Sequence, residues 1–168
     1  MYRAKIVVLE GLNLSAVSSD YQNTMNLEEE EARLLAAETK GYSLAFQTVG
    51  FHCWNALCDV GSFADIDFSR IQSELDVTLH EMSYEKIWEE LSAKDRQILV
   101  AMKDLEYQNG TSEIKIEDIR DELEMTSNTF TTYRKRLITG GIVKSSSYGH
   151  LSFTLPRFGK FISIIQET

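Results

Sequence analysis

This sequence predicts a mainly α chain: a helical bundle over residues 12–90, followed by a winged helix-turn-helix domain over 91–168 with a small β-hairpin wing. Three observations carry the expectation. Apolar residues recur at three- and four-residue spacing through most of the chain, as amphipathic helices require. Two short helical patterns flank a tight break at Met125-Thr126-Ser127. After Gly140-Gly141 the pattern alternates on either side of a Tyr148-Gly149 turn, as a hairpin does.

The elements follow in order. Ala4-Lys5-Ile6-Val7-Val8-Leu9 is an apolar, β-branched run that stops at Gly11 and reads as one buried strand. No neighbouring strand is at hand to pair with it, so residues 1–11 are expected to complete a sheet that lies outside this chain. Asn13 or Ser15 starts a short helix through Tyr21. Asn26 is expected to cap a second helix, with Glu29 three residues on in a capping-box pattern and Gly41 at its end. The run Glu28-Glu29-Glu30-Glu31 then falls in a first helical turn, where the helix dipole favours carboxylates. Ser43 to about Leu57 forms a third helix with Phe46, Val49, Cys53, Trp54 and Leu57 as its core stripe. A fourth begins near Asp67 with Phe68, Ile71 and Leu75, and its apolar pattern continues through Leu79, Met82, Ile87, Trp88 and Leu91. The two tryptophans read as packing anchors.

At Ser92 the character changes. Ser92 and Asp95 form a capping pattern for a helix whose buried side is Ile98, Leu99, Met102 and Leu105, and Asn109-Gly110 ends it. Ile116, Ile119 and Leu123 mark a short second helix, and Phe130, Tyr133 and Leu137 the inward side of a third. Residues 142–146 and 150–154 make the wing, with Leu151 and Phe153 turned toward one face. Pro156 permits a last helix that packs through Phe158, Phe161, Ile162 and Ile165.

Composition narrows the class. With 43% hydrophobic residues and one proline in 168, the chain is too apolar to be disordered. No run reaches the ~18 to 20 uncharged residues of a membrane span, and the start lacks the basic-then-apolar order of a secretory signal, so no membrane partner and a cytoplasmic location are expected. Cys53 and Cys58 fall about 140° apart on one helix and cannot easily bridge. His52, His80 and His150 are scattered, with no metal-ligand spacing to the cysteines, so no metal is expected. The net charge of -9 is unevenly spread. Residues 1–88 hold 6 Lys/Arg against 14 Asp/Glu, whereas residues 125–168 hold 6 Lys/Arg against Glu167 alone. A basic end is attached to an acidic body.

Several stretches together resemble the bacterial and archaeal P-loop ATPases of the AAA+/STAND type. Thr39-Lys40-Gly41-Tyr42, Ala45-Phe46-Gln47 and Gly50 with Trp54 look like that family's lid helices. Leu91-Ser92-Ala93-Lys94-Asp95-Arg96 is similar to the opening of its winged helix, and Tyr148 to Pro156 with Phe158 and Phe161 to its wing and last helix. The resemblance covers nearly the whole chain and implies a C-terminal, non-catalytic region: a lid-like helical segment, then a winged helix. The initial strand would be the last of the ATPase sheet, and the parent's own ATPase domain would be a partner. ATP and Mg would belong to that parent. No G-x-x-x-x-G-K-[ST] segment occurs in this sequence, and no apolar strand ends in paired acids, so no cofactor and no enzymatic activity are expected of this chain. Arg33 and Lys40 are the only cations near the position from which a lid would reach nucleotide phosphates. An orphan edge strand would also permit self-association.

The residues that could carry function lie near the end. With Phe130 inward and 100° per residue, Asn128, Thr131, Thr132, Lys135 and Arg136 fall on the opposite side of their helix, with Arg134 at the flank. Short amides and hydroxyls can reach base edges, and the cations suit phosphates, so double-stranded DNA is the expected partner. Lys144 and His150 on the wing, and Tyr148 at its tip, would add contacts. The same polar side also arises in any helix that is apolar on one face, and cations in a last turn complement the dipole. The alternative is accordingly a winged helix that docks on protein. Ser145-Ser146-Ser147 beside His150 lacks a third group to orient the histidine, and although Asp65, Asp67 and Asp76 could mimic paired catalytic carboxylates, Asp67 is better explained as an N-cap.

Overall fold

The computed structural model describes residues 11–167. The strand expected over residues 4–9 lies outside the described residues. The fold is mainly α with one small antiparallel sheet, a helical bundle and a winged-helix domain. The chain divides into two compact units at Gln72/Ser73, within α4 (Phe68–Leu79).

In the first unit, Asn13 Oδ1 accepts from the Ser15 and Ala16 backbone N–H groups (2.9 and 3.1 Å) and starts α1 (Leu14–Met25). The helix runs on past Tyr21 and ends at Asn26, whose φ of 54° is left-handed. Asn26 therefore closes α1 and does not open α2 (Glu29–Thr39). Asparagine suits both an N-cap and a left-handed C-cap, and only the chain path decides between them. The N-cap is Glu28, whose N–H donates to Glu31 Oε2 (2.9 Å). After α2, Leu12 N–H donates to Gly41 O (2.8 Å), and a Cβ on Gly41 would sit 2.4 Å from Leu12 O at a φ of 77°, so this junction requires glycine.

The third helix, α3, spans Ser43–Val60. Ala32, Leu35, Ala36, Ala45, Val49 and Cys53 form the interior of the unit. Burial pushes the Cys53 thiol up to about 11. Trp54 does not join that core: it is 47% exposed, because the buried stripe follows Ala45, Val49 and Cys53 at four-residue steps and Trp54 lies 100° further round. Tyr21 is the aromatic anchor instead. Its ring stacks on Phe46 at 5.2 Å, and its hydroxyl donates to Phe46 O (2.6 Å). Asp67 Oδ1 accepts from Ser69 N–H (3.0 Å) at the start of α4, as an N-cap does, and hydrogen bonds from the Ser69 side chain and backbone hold its carboxyl below the usual range.

In the second unit, α4 passes through a π-helical turn (His80–Tyr84) into α5 (Glu85–Glu90). The extra residue of that turn decides the register. Leu75 and Leu79 are buried, and the next buried side chain is Tyr84, five residues on, while Met82 is 71% exposed. The sequence pattern had placed Met82 on the apolar side. Tyr84 donates to Pro156 O (2.6 Å) and packs edge-on against Phe158 and Phe161 (5.0 and 5.6 Å).

Ser92 and Asp95 cap α6 (Ala93–Asn109) as the sequence predicts, and Ile98, Leu99 and Met102 are fully buried on it. The helix-turn-helix is α7 (Ile116–Glu122) and α8 (Ser127–Thr139). The wing is β2 (Val143–Ser145) and β3 (His150–Phe153), and a two-residue strand, β1 (Ile114–Lys115), completes a sheet in the order β1-β3-β2. The closing helix, α9 (Phe158–Glu167), buries Phe158, Phe161 and Ile162. Arg157 and Lys160 at its start clasp Asp76 of α4; Arg157 Nη2 and Lys160 Nζ lie 2.8 and 2.5 Å from Asp76 Oδ2. Burial pushes the Asp76 carboxyl up, but the hydrogen bonds and charges of Arg157 and Lys160 outweigh it and hold the group below the usual range.

Candidate nucleic-acid interface

Helix α8 is aimed by its N-terminal end and its underside. Thr126 caps it through Thr129 N–H (3.4 Å), Met125 N–H returns to Arg120 O (2.9 Å), and Glu124 turns the chain with a φ of 50°. Phe130 and Leu137, 2% and 1% exposed, anchor the helix from beneath. With those two inside, Asn128, Thr131, Thr132 and Lys135 are exposed on the opposite side, where the 100° step places them.

The hydroxyls on that face are already oriented. Thr131 Oγ1 donates to Ser127 O (2.8 Å) and Thr132 Oγ1 to Asn128 O (3.5 Å). With its proton turned into the helix, each presents lone pairs outward, which suits an amino donor on a base edge better than a phosphate oxygen.

The three cations of α8 have three different fates. Arg136 folds back over the Tyr133 ring (5.0 Å to its centroid) and pairs with Asp95, while its Nη2 donates to Ser92 Oγ (2.7 Å). The Asp95 side chain is 2% exposed, so the Arg136 guanidinium neutralises a buried carboxylate and ties α8 to the N-cap of α6. Arg134 is half-buried and donates through Nη2 to Ser145 Oγ on β2 (2.9 Å), which joins the helix to the wing. Lys135 is exposed and makes no hydrogen bond or ion pair among the described residues. Of the three, Lys135 is the cation whose charge faces solvent uncommitted.

On the wing, Tyr148 at the tip is fully exposed, and His150 Nδ1 lies 2.9 Å from Tyr148 O. The register sets a face that sequence reading did not contain. Lys115 of β1 stands opposite His150, and Lys144 of β2 opposite Ser152, so Lys115, His150 and Lys144 share one side of the sheet. Lys115 was missed because a two-residue strand leaves little pattern; its only signal is the alternation Ile114-Lys115-Ile116. The three serines do not gather on His150: Ser145 accepts from Arg134, and Ser147 donates to Glu113 (3.3 Å). Asp76 serves the ion cluster at α9, and Asp67 caps the start of α4. Among the described residues no three His, Cys, Asp or Glu side chains are placed to hold a metal, and no helix is long and apolar enough to cross a membrane. Acidic groups also border this region, with Glu117, Asp121 and Glu122 exposed on α7.

A family described as Domain of unknown function (DUF8462) matches residues 81–162. No curated protein matches the chain. Among solved structures, Cdc6p from Pyrobaculum aerophilum is similar at 13% identity and a TM-score of 0.44, over 94% of this chain and 49% of that one. The RuvB Holliday junction branch migration motor of Thermotoga maritima is similar at 16% identity and a TM-score of 0.34, over 86% of this chain and 47% of that one. The chain spans about half the length of these two structures.

Proposed function

We propose that this chain is a non-catalytic region of a P-loop ATPase whose winged helix binds double-stranded DNA. The observation that carries the DNA reading is the outward face of α8, where Asn128, Thr131, Thr132 and Lys135 are exposed beside a wing that turns Lys115, His150 and Lys144 to one side. An α-helix fits the major groove, and amides and hydroxyls at successive turns can meet base edges there while lysines meet phosphates. Arg134 and Arg136 serve the geometry: one holds the wing to the helix, the other holds the helix to α6. Coupling to a nucleotide cycle would come from the parent's ATPase domain, which supplies the P-loop that this sequence lacks.

The test is duplex affinity against salt, measured by fluorescence anisotropy on the full chain. Contact with about three to six phosphates gives a log-log slope near -0.9 per contact. Absence of duplex affinity at low salt overturns the reading. A second reading, a winged helix that docks on protein, is favoured by the exposed acids of α7, which repel phosphate. It would be supported if Lys135→Ala and Lys144→Ala leave any duplex affinity unchanged.

A further inference from the structure

A groove in the first unit is independent of everything above. It runs between α1 and α3, with a volume of about 250 Å³, and its wall is largely aromatic: Phe46, Phe51 and Trp54 along α3, and Tyr21 with the thioether of Met25 along α1. The floor is rigid. Tyr21 is 3% exposed, stacked on Phe46 and hydrogen-bonded to its carbonyl, and Gly50 lets α1 approach so closely that a Cβ there would lie 3.1 Å from the Tyr21 ring. The rim is open, with Phe51 63% and Trp54 47% exposed on adjacent turns. Large aromatics at such exposure are a poor use of core-forming residues and a good use of anchors for a ligand.

Charge says what fits. Asp20 is the one charged residue lining the groove among the described residues, and residues 11–72 hold three Lys/Arg against nine Asp/Glu. An acidic ligand would meet repulsion from the whole unit. A cation would meet Asp20 and the faces of Phe51 and Trp54. A groove between two helices takes a third helix with apolar side chains at three- and four-residue spacing. We propose that the α1/α3 groove binds a basic amphipathic helix of a partner protein, its apolar side on Phe46, Phe51 and Trp54 and its lysines or arginines beside Asp20.

The test uses the full chain and a fluorescein-labelled amphipathic peptide of roughly 16 residues, long enough to form a helix when bound. Leucines are set at helical spacing and lysines on the flanks, with a second peptide carrying glutamate in place of each lysine. Expected is saturable binding of the basic peptide, weakened about tenfold or more by Phe51→Ala and by Trp54→Ala, and roughly threefold by Asp20→Asn. The acidic peptide should bind at least about tenfold more weakly. Both aromatic residues are largely exposed, at 63% and 47%, so these variants keep the fold, which circular dichroism checks. No binding of the basic peptide, equal binding of both peptides, or indifference to Phe51→Ala and Trp54→Ala overturns the proposal. A concentration-dependent dimer in sedimentation that Phe51→Ala abolishes overturns it in favour of a second copy. Duplex DNA takes no part in this assay, so its outcome is separate from the DNA reading.

Discussion

The two units place their phenylalanines differently: Phe130, Phe153, Phe158 and Phe161 of the second are buried, and none of Phe46, Phe51, Phe63 and Phe68 of the first is. In the second, Tyr84, Phe153, Phe158 and Phe161 close on one another at centroid distances of 5.0 to 5.9 Å and are almost wholly buried. In the first, the interior is filled by small and aliphatic side chains around the buried Tyr21, and Phe51 and Trp54 are left at the surface. Charge divides the same way. The first unit is net acidic, with three Lys/Arg against nine Asp/Glu over residues 11–72, while the second places cations on α8, the wing and the start of α9. A buried aromatic cluster supplies stability and holds a polar face in place, whereas exposed aromatics on a tightly packed helix pair supply contact area for something else.

That contrast can be broken by mutation. The largest effect is expected for Phe130→Ala, which empties the underside of α8 and should cost about 3–5 kcal/mol in denaturant unfolding. Phe51→Ala should cost about 0.5–1 kcal/mol, and an equal loss at the two sites would erase the distinction. Arg136→Ala leaves the buried Asp95 carboxylate without its cation and should cost about 1–3 kcal/mol. Lys135→Ala should leave the melting temperature in place and lower the salt slope of duplex binding by about 0.9. If the two lysine and arginine variants behave alike, the division of labour on α8 is wrong.

Acid titration sharpens the picture of the second unit. Asp76 is held below the ordinary carboxylate range in the folded chain, so the unfolded chain binds more protons there. Its contribution is full above the ordinary carboxylate pKa and is lost as pH falls through the lower folded value. Asp76→Asn should therefore flatten the acid limb of stability against pH, read from melting temperatures below neutral pH. Among these variants Glu124→Gly has a small effect of opposite sign: glycine takes the left-handed turn before α8 without strain, and a gain of about 1 kcal/mol is expected.

Much of this architecture was legible because it depends on local chemistry. The caps at Asn13 and Ser92, the left-handed stop at Gly110, and the α7-turn-α8 break depend on residues within a few positions of each other. What went astray depended on register or on neighbours. Asn26 suits either helix end; Met82 lost its place on the apolar side to one inserted residue in a π-helical turn; Trp54 sits one step outside a stripe that its own spacing seemed to include. On the candidate face of α8, the outward set Asn128, Thr131, Thr132 and Lys135 was readable from Phe130 and a 100° step. The fates of Arg134 and Arg136 were not, because Ser145 and Asp95 are 11 and 41 residues away.

By itself, then, the order of apolar spacing, caps and turns determined that this protein would be a helical bundle followed by a winged helix, and which side of α8 would face water. Only the tertiary structure decided which cations keep their charge for a partner, that β1 brings Lys115 beside the wing, and that α1 and α3 leave an aromatic groove open. Periodicity specifies the direction of a side chain on its own element, but its partners come from segments distant in sequence, and those meet only when the chain is packed.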